Sequence, residues 1–389
     1  MNEERPAKIV LLCASSAAFI RHHLAFASVA ARTMEVHAIL TLDEPEDKKV
    51  VQRGGIIVHP VELSRKSVNP LRILHEALIV RGILSRVKPD IVNPINIKSV
   101  LTTAFARIGL PGRMIGTVTG LGYMFVGNTT KQKLLRSLTT LGLILSLPRN
   151  RCILVFSNKE DKQEFIARGI TEEVYTRLVP IPGVNTREFT VSAEPARGYR
   201  VVLPARMLWD KGVGDFVRAA EELRGQIPGI EFILAGSTDP NNPADIGQDK
   251  LWHWQQAGLI SWLGHCDDMP GLIASCHVVC LPSTYREGFP RVLAEAMACA
   301  RPIITTDIPG CRDAVTGSGA GLLVPPGDPQ ALAEAILRLY RNPEERHRMG
   351  GNGRAWVEEV LHEDAITDKM LEVYQEFLQH LEPEKRNRF

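Results

Sequence analysis

Residues 287–306 read EGFPRVLAEAMACARPIITT, and this stretch decides the fold. Pro290 suits the first turn of a helix, where its missing N–H costs nothing. Val292, Leu293, Ala296 and Met297 then share one face at helical spacing. Arg301-Pro302 stops that helix, and Ile303-Ile304 reads as a buried strand. The spacing predicts Glu287 in the loop before the helix and Glu295 about two turns inside it. Backbone N–H groups near residues 288–292 are unpaired at a helix start, and the helix dipole makes that end positive. A diphosphate can sit there with a carboxylate on either side of it. Carboxylates do not ligate phosphate; beside one they serve as acceptors for hydroxyl groups, such as those of a sugar and a ribose. Taken alone, the two glutamates read more simply as a loop acid and a solvated helical residue. The rest of the chain decides between the two readings.

Working outward, buried-strand signals recur upstream at YRVVLPA (199–205), EFILAGS (231–237), ISWLG (260–264) and HVVCLPS (277–283). Before the loop NTREFTVSAEPARG (185–198) lies a second series: KIVLLCASS (8–16), VHAIL (36–40), GGIIVHP (54–60), PDIVNPIN (89–96), RMIGTVTG (113–120) and CILVFSN (152–158). Helical segments alternate with them, over 19–32, 71–87 and EDKQEFIARG (160–169). In 71–87 the apolar residues Leu71, Leu74, Leu78 and Val87 are read as the core-facing side. Strand–helix alternation of this kind means parallel sheets covered on both faces. Two Rossmann-like halves are the simplest account. Neither half contains G-x-G-x-x-G, which argues against a dehydrogenase.

The 389 residues exceed one ordinary core and suffice for two domains. Hydrophobic and charged contents of 44% and 23% fit a globular protein. The seven cysteines form no C-x-x-C pair, so they read as buried thiols in a reducing compartment, with neither a metal site nor a disulfide framework. The start MNEERPAK does not read as a secretory signal. The most apolar run, 138–147, is shorter than the roughly 18 residues of a membrane span. Residues 1–190 carry 26 Lys and Arg against 16 Asp and Glu, a net of +10, while the remainder carries 20 against 28, a net of −8. A basic half joined to an acidic one points to a polyanionic partner for the first half: an anionic membrane, a lipid diphosphate or nucleic acid. Arg65, Lys66, Arg72, Arg81, Arg86 and Lys88 form one basic stretch, and Lys131, Lys133 and Arg136 another; both also read as ordinary solvated charge.

EGFPRVLAEAMACARPIITTDIPGCRDAV resembles the signature of family 4 of the retaining glycosyltransferases, which have the GT-B fold. PARMLWDKGVGDFVRAAEEL (204–223) is similar to the family's G-R-L-x-x-x-K-G segment. WLGHCDDMPGLIASCHVVCLPSTYREGFP (262–290), LVPIPGVNTREF (178–189) and GLLVPPGDPQALAEAI (321–336) follow the family's pattern in its order. The first half matches less closely. TVTGLGYMF (117–125) resembles a subgroup that builds capsular and O-antigen polysaccharides and lipid-linked oligosaccharides.

The resemblance implies an α/β architecture of two Rossmann-like domains with parallel sheets facing a central cleft. Residues 1–190 would bind acceptor and 191–361 the nucleotide-sugar donor, with a helix in 362–389 crossing back to the first domain. Arg206 and Lys211 match the pair that binds the donor's phosphates and stabilises the leaving group. Glu287 matches the acid that holds hydroxyls of the donor sugar, and Glu295 the one that holds the ribose. Gly288, Phe289, Pro290, Arg291 and Val292 complete the donor loop and helix start. Gly264 and His265 match the base-reading turn, although many relatives carry Arg near His265. Thr119 stands where many relatives have a donor-contacting His. Ser16, within Ser15-Ser16-Ala17-Ala18, replaces a Gly-rich phosphate loop with small residues. FIRHHLAF aligns His22 with a family His on the acceptor side, where Gly120 is also expected; His22 reads equally as an exposed helical residue.

No Asp-x-Asp motif stands near the predicted donor site, and Asp267-Asp268 read as a helix cap. A metal-independent reaction without a bound cofactor is therefore expected, with a nucleotide sugar, implied to be a UDP-sugar, as co-substrate. The implied acceptor is a polyprenyl-diphosphate-linked sugar in surface polysaccharide assembly. The implied location is cytoplasmic, peripheral on the inner face of the cytoplasmic membrane. One alternative is a GT-B-fold nucleotide-sugar 2-epimerase, which would turn over without an acceptor. Another is a non-catalytic partner protein of this fold, against which intact Glu287, Glu295, Arg206 and Lys211 argue. A nucleic-acid binder would use the basic half, but that half has no aromatic interleaving to stack bases.

Overall fold

The computed structural model describes residues 5–64, 69–121, 125, 129–240 and 242–379. Arg65 and Lys66 of the first basic stretch, and Gly122, Tyr123 and Met124 of the TVTGLGYMF motif, lie outside the described residues. The chain divides into two compact units, residues 1–182 with 364–389, and residues 183–363. The division falls before residue 190 because Val184 already belongs to the second unit. Its N–H donates to the Leu361 carbonyl, and its carbonyl accepts from Glu363.

The first unit is built on seven parallel strands: β1 (Lys8–Cys13), β2 (Glu35–Leu40), β3 (Ile57–Pro60), β4 (Ile91–Pro94), β5 (Arg113–Val118), β6 (Cys152–Phe156) and β7 (Thr176–Leu178). Their order is β3-β2-β1-β4-β5-β6-β7. β1 is an interior strand, with Ile9 aligned to Val36 of β2 and to Ile91 of β4. Ile9, Val10, Leu11 and Leu12 are buried, as an unbroken apolar run in a sheet covered on both faces must be. The chain reverses direction across the sheet between β1 and β4, the position where open parallel sheets bind ligands at their carboxyl edge. The short strand β7 carried no period-2 signal in the sequence.

The expected helix over 19–32 is two shorter ones, Ser16–His22 and Leu24–Ala30, broken at His23. His23 is buried and leaves helical geometry at φ −134°. Helix Pro70–Val87 differs from expectation in its facing. Leu71, Leu74 and Leu78 are exposed, while Ile73, Ala77, Val80, Ile83 and Leu84 face the core. Both sets have helical period, so hydropathy alone does not choose between them. Helix Ile97–Ala106, apolar and buried almost all round, decides it by packing against the second set. The last helix, Glu363–Gln379, packs on the same unit. Its Tyr374 is fully buried and donates its hydroxyl to Asn93 Oδ1 at 2.6 Å. Arg113 donates to the Phe377 carbonyl at 2.9 Å.

The second unit repeats the plan with six parallel strands: β8 (Tyr199–Pro204), β9 (Ile230–Ala235), β10 (Ser261–Trp262), β11 (Val278–Leu281), β12 (Ile303–Thr306) and β13 (Gly321–Val324). The order β10-β9-β8-β11-β12-β13 puts the switch at β8. Arg301 is buried beneath this sheet and donates to the carbonyls of Ala274, Cys276 and Ser192 at 2.7–3.0 Å. It therefore ties the entering segment to β11 besides ending the preceding helix. Six of the seven cysteines are buried and all are free thiols. No described helix is long and apolar enough to cross a membrane.

Candidate donor-binding site

The carboxyl edge of the second sheet gathers the loops after β8, β9, β10 and β11. The loop after β8 carries Arg206 and a short turn, Trp209–Lys211. Gly212 ends that turn at φ +72°, where a Cβ would stand 1.9 Å from the Pro282 carbonyl oxygen. Only glycine lets the β8 loop lie this close to the β11 loop. The contact sets Lys211 beside Glu287. Lys211 Nζ lies 2.5 Å from Glu287 Oε1, and the same oxygen accepts from Ser283 Oγ at 2.9 Å. Both charged side chains are mostly buried, at 22% and 14% exposure, and Ser283 is fully buried. Charge-assisted bonds in so dry a setting are stronger than surface pairs.

Arg206 turns the other way along the edge. It is exposed, and its Nη1 bonds Asp239 Oδ2 at 2.8 Å, beyond the end of β9. The two expected phosphate-binding cations thus flank β8, one over β9 and the other over β11.

The helix after the glutamate loop is Arg291–Ala298, capped at Pro290. It starts later than the spacing suggested, so Glu295 lies about one turn inside it, not two. Arg291 Nε bonds Glu295 Oε1 at 2.7 Å. This i,i+4 pair holds the carboxylate beside the first turn. Phe289 does not face solvent: it is buried and stacks on Trp356 at 6.1 Å between ring centroids. Pro290 is also buried, whereas Gly288, Arg291 and Val292 are half-buried. Gly264 adopts φ +68°, and its carbonyl accepts from Gly236 N at 2.6 Å, joining the β10 loop to the end of β9. His265 is exposed and faces Asp267 at 3.1 Å. Asp268 caps helix Met269–Ala274 through Gly271 N at 2.8 Å. No group of His, Cys, Asp and Glu among the described residues is arranged to hold a metal ion.

Sequence reasoning missed three supports of this site. Gly310, at φ +80°, lies under the glutamate loop, and a Cβ there would stand 2.1 Å from the Gly288 carbonyl oxygen. Its Pro-Gly dipeptide signals a turn but not which loop the turn touches. Ser283 and Asp239 carry no local signal. Cys311 is buried behind the same loop, and burial pushes its thiol up to about 12, so it packs as an inert residue.

The first unit places its expected residues at its own carboxyl edge. Thr119 and Gly120 follow β5 directly and are half-buried. His22 is half-buried at the end of its helix, near Asn93, Thr117 and Met370 around a small cavity. The neighbouring His23 is buried, and burial lowers its pKa to about 4. The small-residue turn at 15–18 differs from expectation. Ser16 Oγ bonds Asp47 Oδ2 at 2.5 Å, Ser15 Oγ bonds Asp43 Oδ2 at 2.7 Å, and Ala17 N donates to Asp43 Oδ2 at 2.9 Å. A carboxylate from the β2 loop thus occupies the helix start where a phosphate was expected, because Asp43 satisfies the same donors.

Comparison with known proteins agrees with this architecture. Residues 198–342 match the family described as "Glycosyl transferases group 1", and residues 8–165 that described as "Glycosyl transferase 4-like". The chain is 27% identical over 369 residues to the N,N'-diacetylbacillosaminyl-diphospho-undecaprenol alpha-1,3-N-acetylgalactosaminyltransferase of Campylobacter jejuni, an alignment covering 90% of this chain and 93% of that one. Other curated relatives align over 29–47% of their length, 46% for the capsular polysaccharide biosynthesis glycosyltransferase CapM of Staphylococcus aureus at 29% identity. Among solved structures, sucrose-phosphate synthase of Thermosynechococcus elongatus superposes with a TM-score of 0.76 at 21% identity, covering 96% of this chain and all of the other. Anabaena Alr3699/HepE in complex with UDP and glucose gives 0.74 at 17% identity, covering 95% of this chain and all of the other. The paired motifs of both halves and the two parallel sheets make the chain a member of glycosyltransferase family 4, a hexosyltransferase of GT-B fold.

Proposed function

We propose that this glycosyltransferase moves an N-acetylhexosamine or hexose from a UDP-sugar to a polyprenyl-diphosphate-linked sugar, with retention at the anomeric carbon and without a metal ion. The observation that carries the reading is the Lys211–Glu287–Ser283 cluster beside the start of helix Arg291–Ala298. A diphosphate competes with Glu287 for the Lys211 ammonium. As Lys211 and Arg206 turn to the phosphates, the Glu287 carboxylate becomes an acceptor for sugar hydroxyls. Glu295, held by Arg291, accepts from the ribose. The amides at the helix start and the two cations offset the charge that develops as the glycosidic bond breaks. The departing phosphate takes the acceptor's proton on the same face, so no protein nucleophile is required. By resemblance, Thr119 is assigned to the donor sugar, and Gly120 and His22 to the acceptor.

A relative aligned over nearly its whole length is named for an undecaprenol-diphosphate acceptor. That supports a lipid-linked acceptor here, and with it work at the inner face of the cytoplasmic membrane. The test is a thermal-shift panel of nucleoside diphosphates, followed by transfer assays in EDTA. Ligand at 100 times its dissociation constant adds about 2.7 kcal/mol of stability. UDP should raise the melting temperature most, and transfer should persist in EDTA. No shift with any nucleoside diphosphate would overturn the donor assignment. Loss of transfer in EDTA, restored by Mg²⁺ or Mn²⁺, would overturn metal independence. Turnover of a UDP-sugar to its epimer without acceptor would favour the epimerase.

A further inference from the structure

The face of the first unit formed by helices Pro70–Val87 and Thr130–Ser146 exposes what a folded unit ordinarily hides. Leu71, Leu74 and Leu78 make a stripe on the first helix, and Leu134, Leu138, Leu141 and Leu145 on the second, each between 49% and 76% exposed. Both helices pack on the same buried helix, Ile97–Ala106. Arg81 of the first donates to the Ala106 carbonyl at 3.0 Å. In the second, Gly142 lies against Leu101 and Phe105. The two stripes therefore belong to one side of the sheet.

The charged side chains that these two helices expose have one sign. Arg72, Arg86 and Lys133 are exposed at the margins of the stripes, and Arg81 and Arg136 are half-buried. The only carboxylate in either helix is Glu76, buried and paired with Lys98 at 2.9 Å. Leucines of this exposure mark an interaction surface. Helices with leucine on one side and cations beside it lie in the headgroup region of anionic bilayers. Neither helix is long and apolar enough to span one.

We propose that this two-helix face seats the enzyme on an anionic lipid bilayer. The charge complementarity selects that occupant over a neutral apolar partner. Because all seven strands run parallel, both helices begin at the sheet's carboxyl edge, where Thr119 and Gly120 sit. A bilayer held on this face keeps a lipid-linked diphosphate sugar close to that edge; this part rests on the acceptor reading above.

The experiment uses the full chain and co-sedimentation with vesicles of phosphatidylglycerol and phosphatidylethanolamine, or of phosphatidylcholine alone. The variants are Leu74→Ser with Leu78→Ser, Leu138→Ser with Leu141→Ser, and Arg72→Gln with Arg86→Gln and Lys133→Gln. Val174→Ser, an exposed apolar residue elsewhere on the unit, is the control. These side chains are exposed, so each variant should melt like the wild type. The wild type should pellet with phosphatidylglycerol vesicles, less so as salt rises. Each leucine pair should lower the partition coefficient about tenfold or more, the charge variant should lose the preference for anionic lipid, and Val174→Ser should change nothing. The proposal is overturned if the wild type ignores anionic vesicles at low salt, or if the leucine pairs bind like the wild type. It is also overturned if the chain is a dimer in solution that these same substitutions dissociate, which would give the face to a second copy. The UDP-induced melting shift, measured on every variant, separates the two readings: it reports the donor site and is indifferent to vesicles.

Discussion

Replacing Gly310 with alanine perturbs the donor loop from beneath without replacing any residue assigned to the chemistry. The new Cβ would stand 2.1 Å from the Gly288 carbonyl oxygen and 2.7 Å from that of Glu287, where contacts under 3.0 Å are not sustained. The Glu287–Gly288 peptide must therefore move by about 1 Å, carrying the carboxylate away from Lys211 and Ser283; such a misplacement costs on the order of 10²-fold in rate. The substitution also strains the backbone at φ +80°, by roughly 1–3 kcal/mol. Gly319→Ala separates the two effects. It has the same left-handed backbone, φ +63°, but its nearest neighbour would be Asn352 Nδ2 at 3.4 Å. Transfer from a UDP-N-acetylhexosamine should fall about 10²-fold in Gly310→Ala and stay within about twofold of wild type in Gly319→Ala, with both losing thermal stability. Wild-type transfer by Gly310→Ala, or an equal loss in Gly319→Ala, would refute the positioning argument.

Lys211→Ala should reduce transfer by ~10²-fold or more and lower the melting temperature, since it takes a cation from the mostly buried Glu287 carboxylate. Near-normal turnover would remove Lys211 from the phosphate site. Arg206→Ala should behave alike in rate with no stability change, because its pair with Asp239 is exposed. His23 gives a pH dependence of stability. Its folded pKa is about 4, below the usual 6.5, so the unfolded chain binds the extra proton. Stability is complete above about pH 6.5 and is lost as pH falls towards 4, by up to about 3 kcal/mol. Denaturant titrations should show a smaller loss in His23→Phe across that window; an unchanged loss would clear His23.

Eleven of the thirteen strands were legible in the sequence because each is a short apolar run, most of them ended by Gly, Pro, Asn or Ser, a local pattern independent of distant contacts; β13, Gly321–Val324, did not read as a strand. Nor did β7, since Thr176–Leu178 is too short and polar to read as a strand; it is one because it pairs along Leu154–Phe156 of β6. The glutamate loop, its helix and the strand that follows were legible for the same local reason, although the helix begins at Arg291 and leaves Glu295 only one turn inside it.

What the sequence could not fix were choices between equivalent local patterns. Helix Pro70–Val87 carries two apolar stripes, and only packing on helix Ile97–Ala106 turned one inward and left Leu71, Leu74 and Leu78 outside. The serines at 15–16 present donors that either a phosphate or a carboxylate satisfies, and Asp43 arrives from a loop 27 residues away to take them. Lys211 and Glu287 are separated by 76 residues, and they meet because Gly212 lets two loops touch. Local propensity depends on neighbours in the chain. Partnership depends on which loops the sheet order brings to one edge, so the tertiary structure alone decided it.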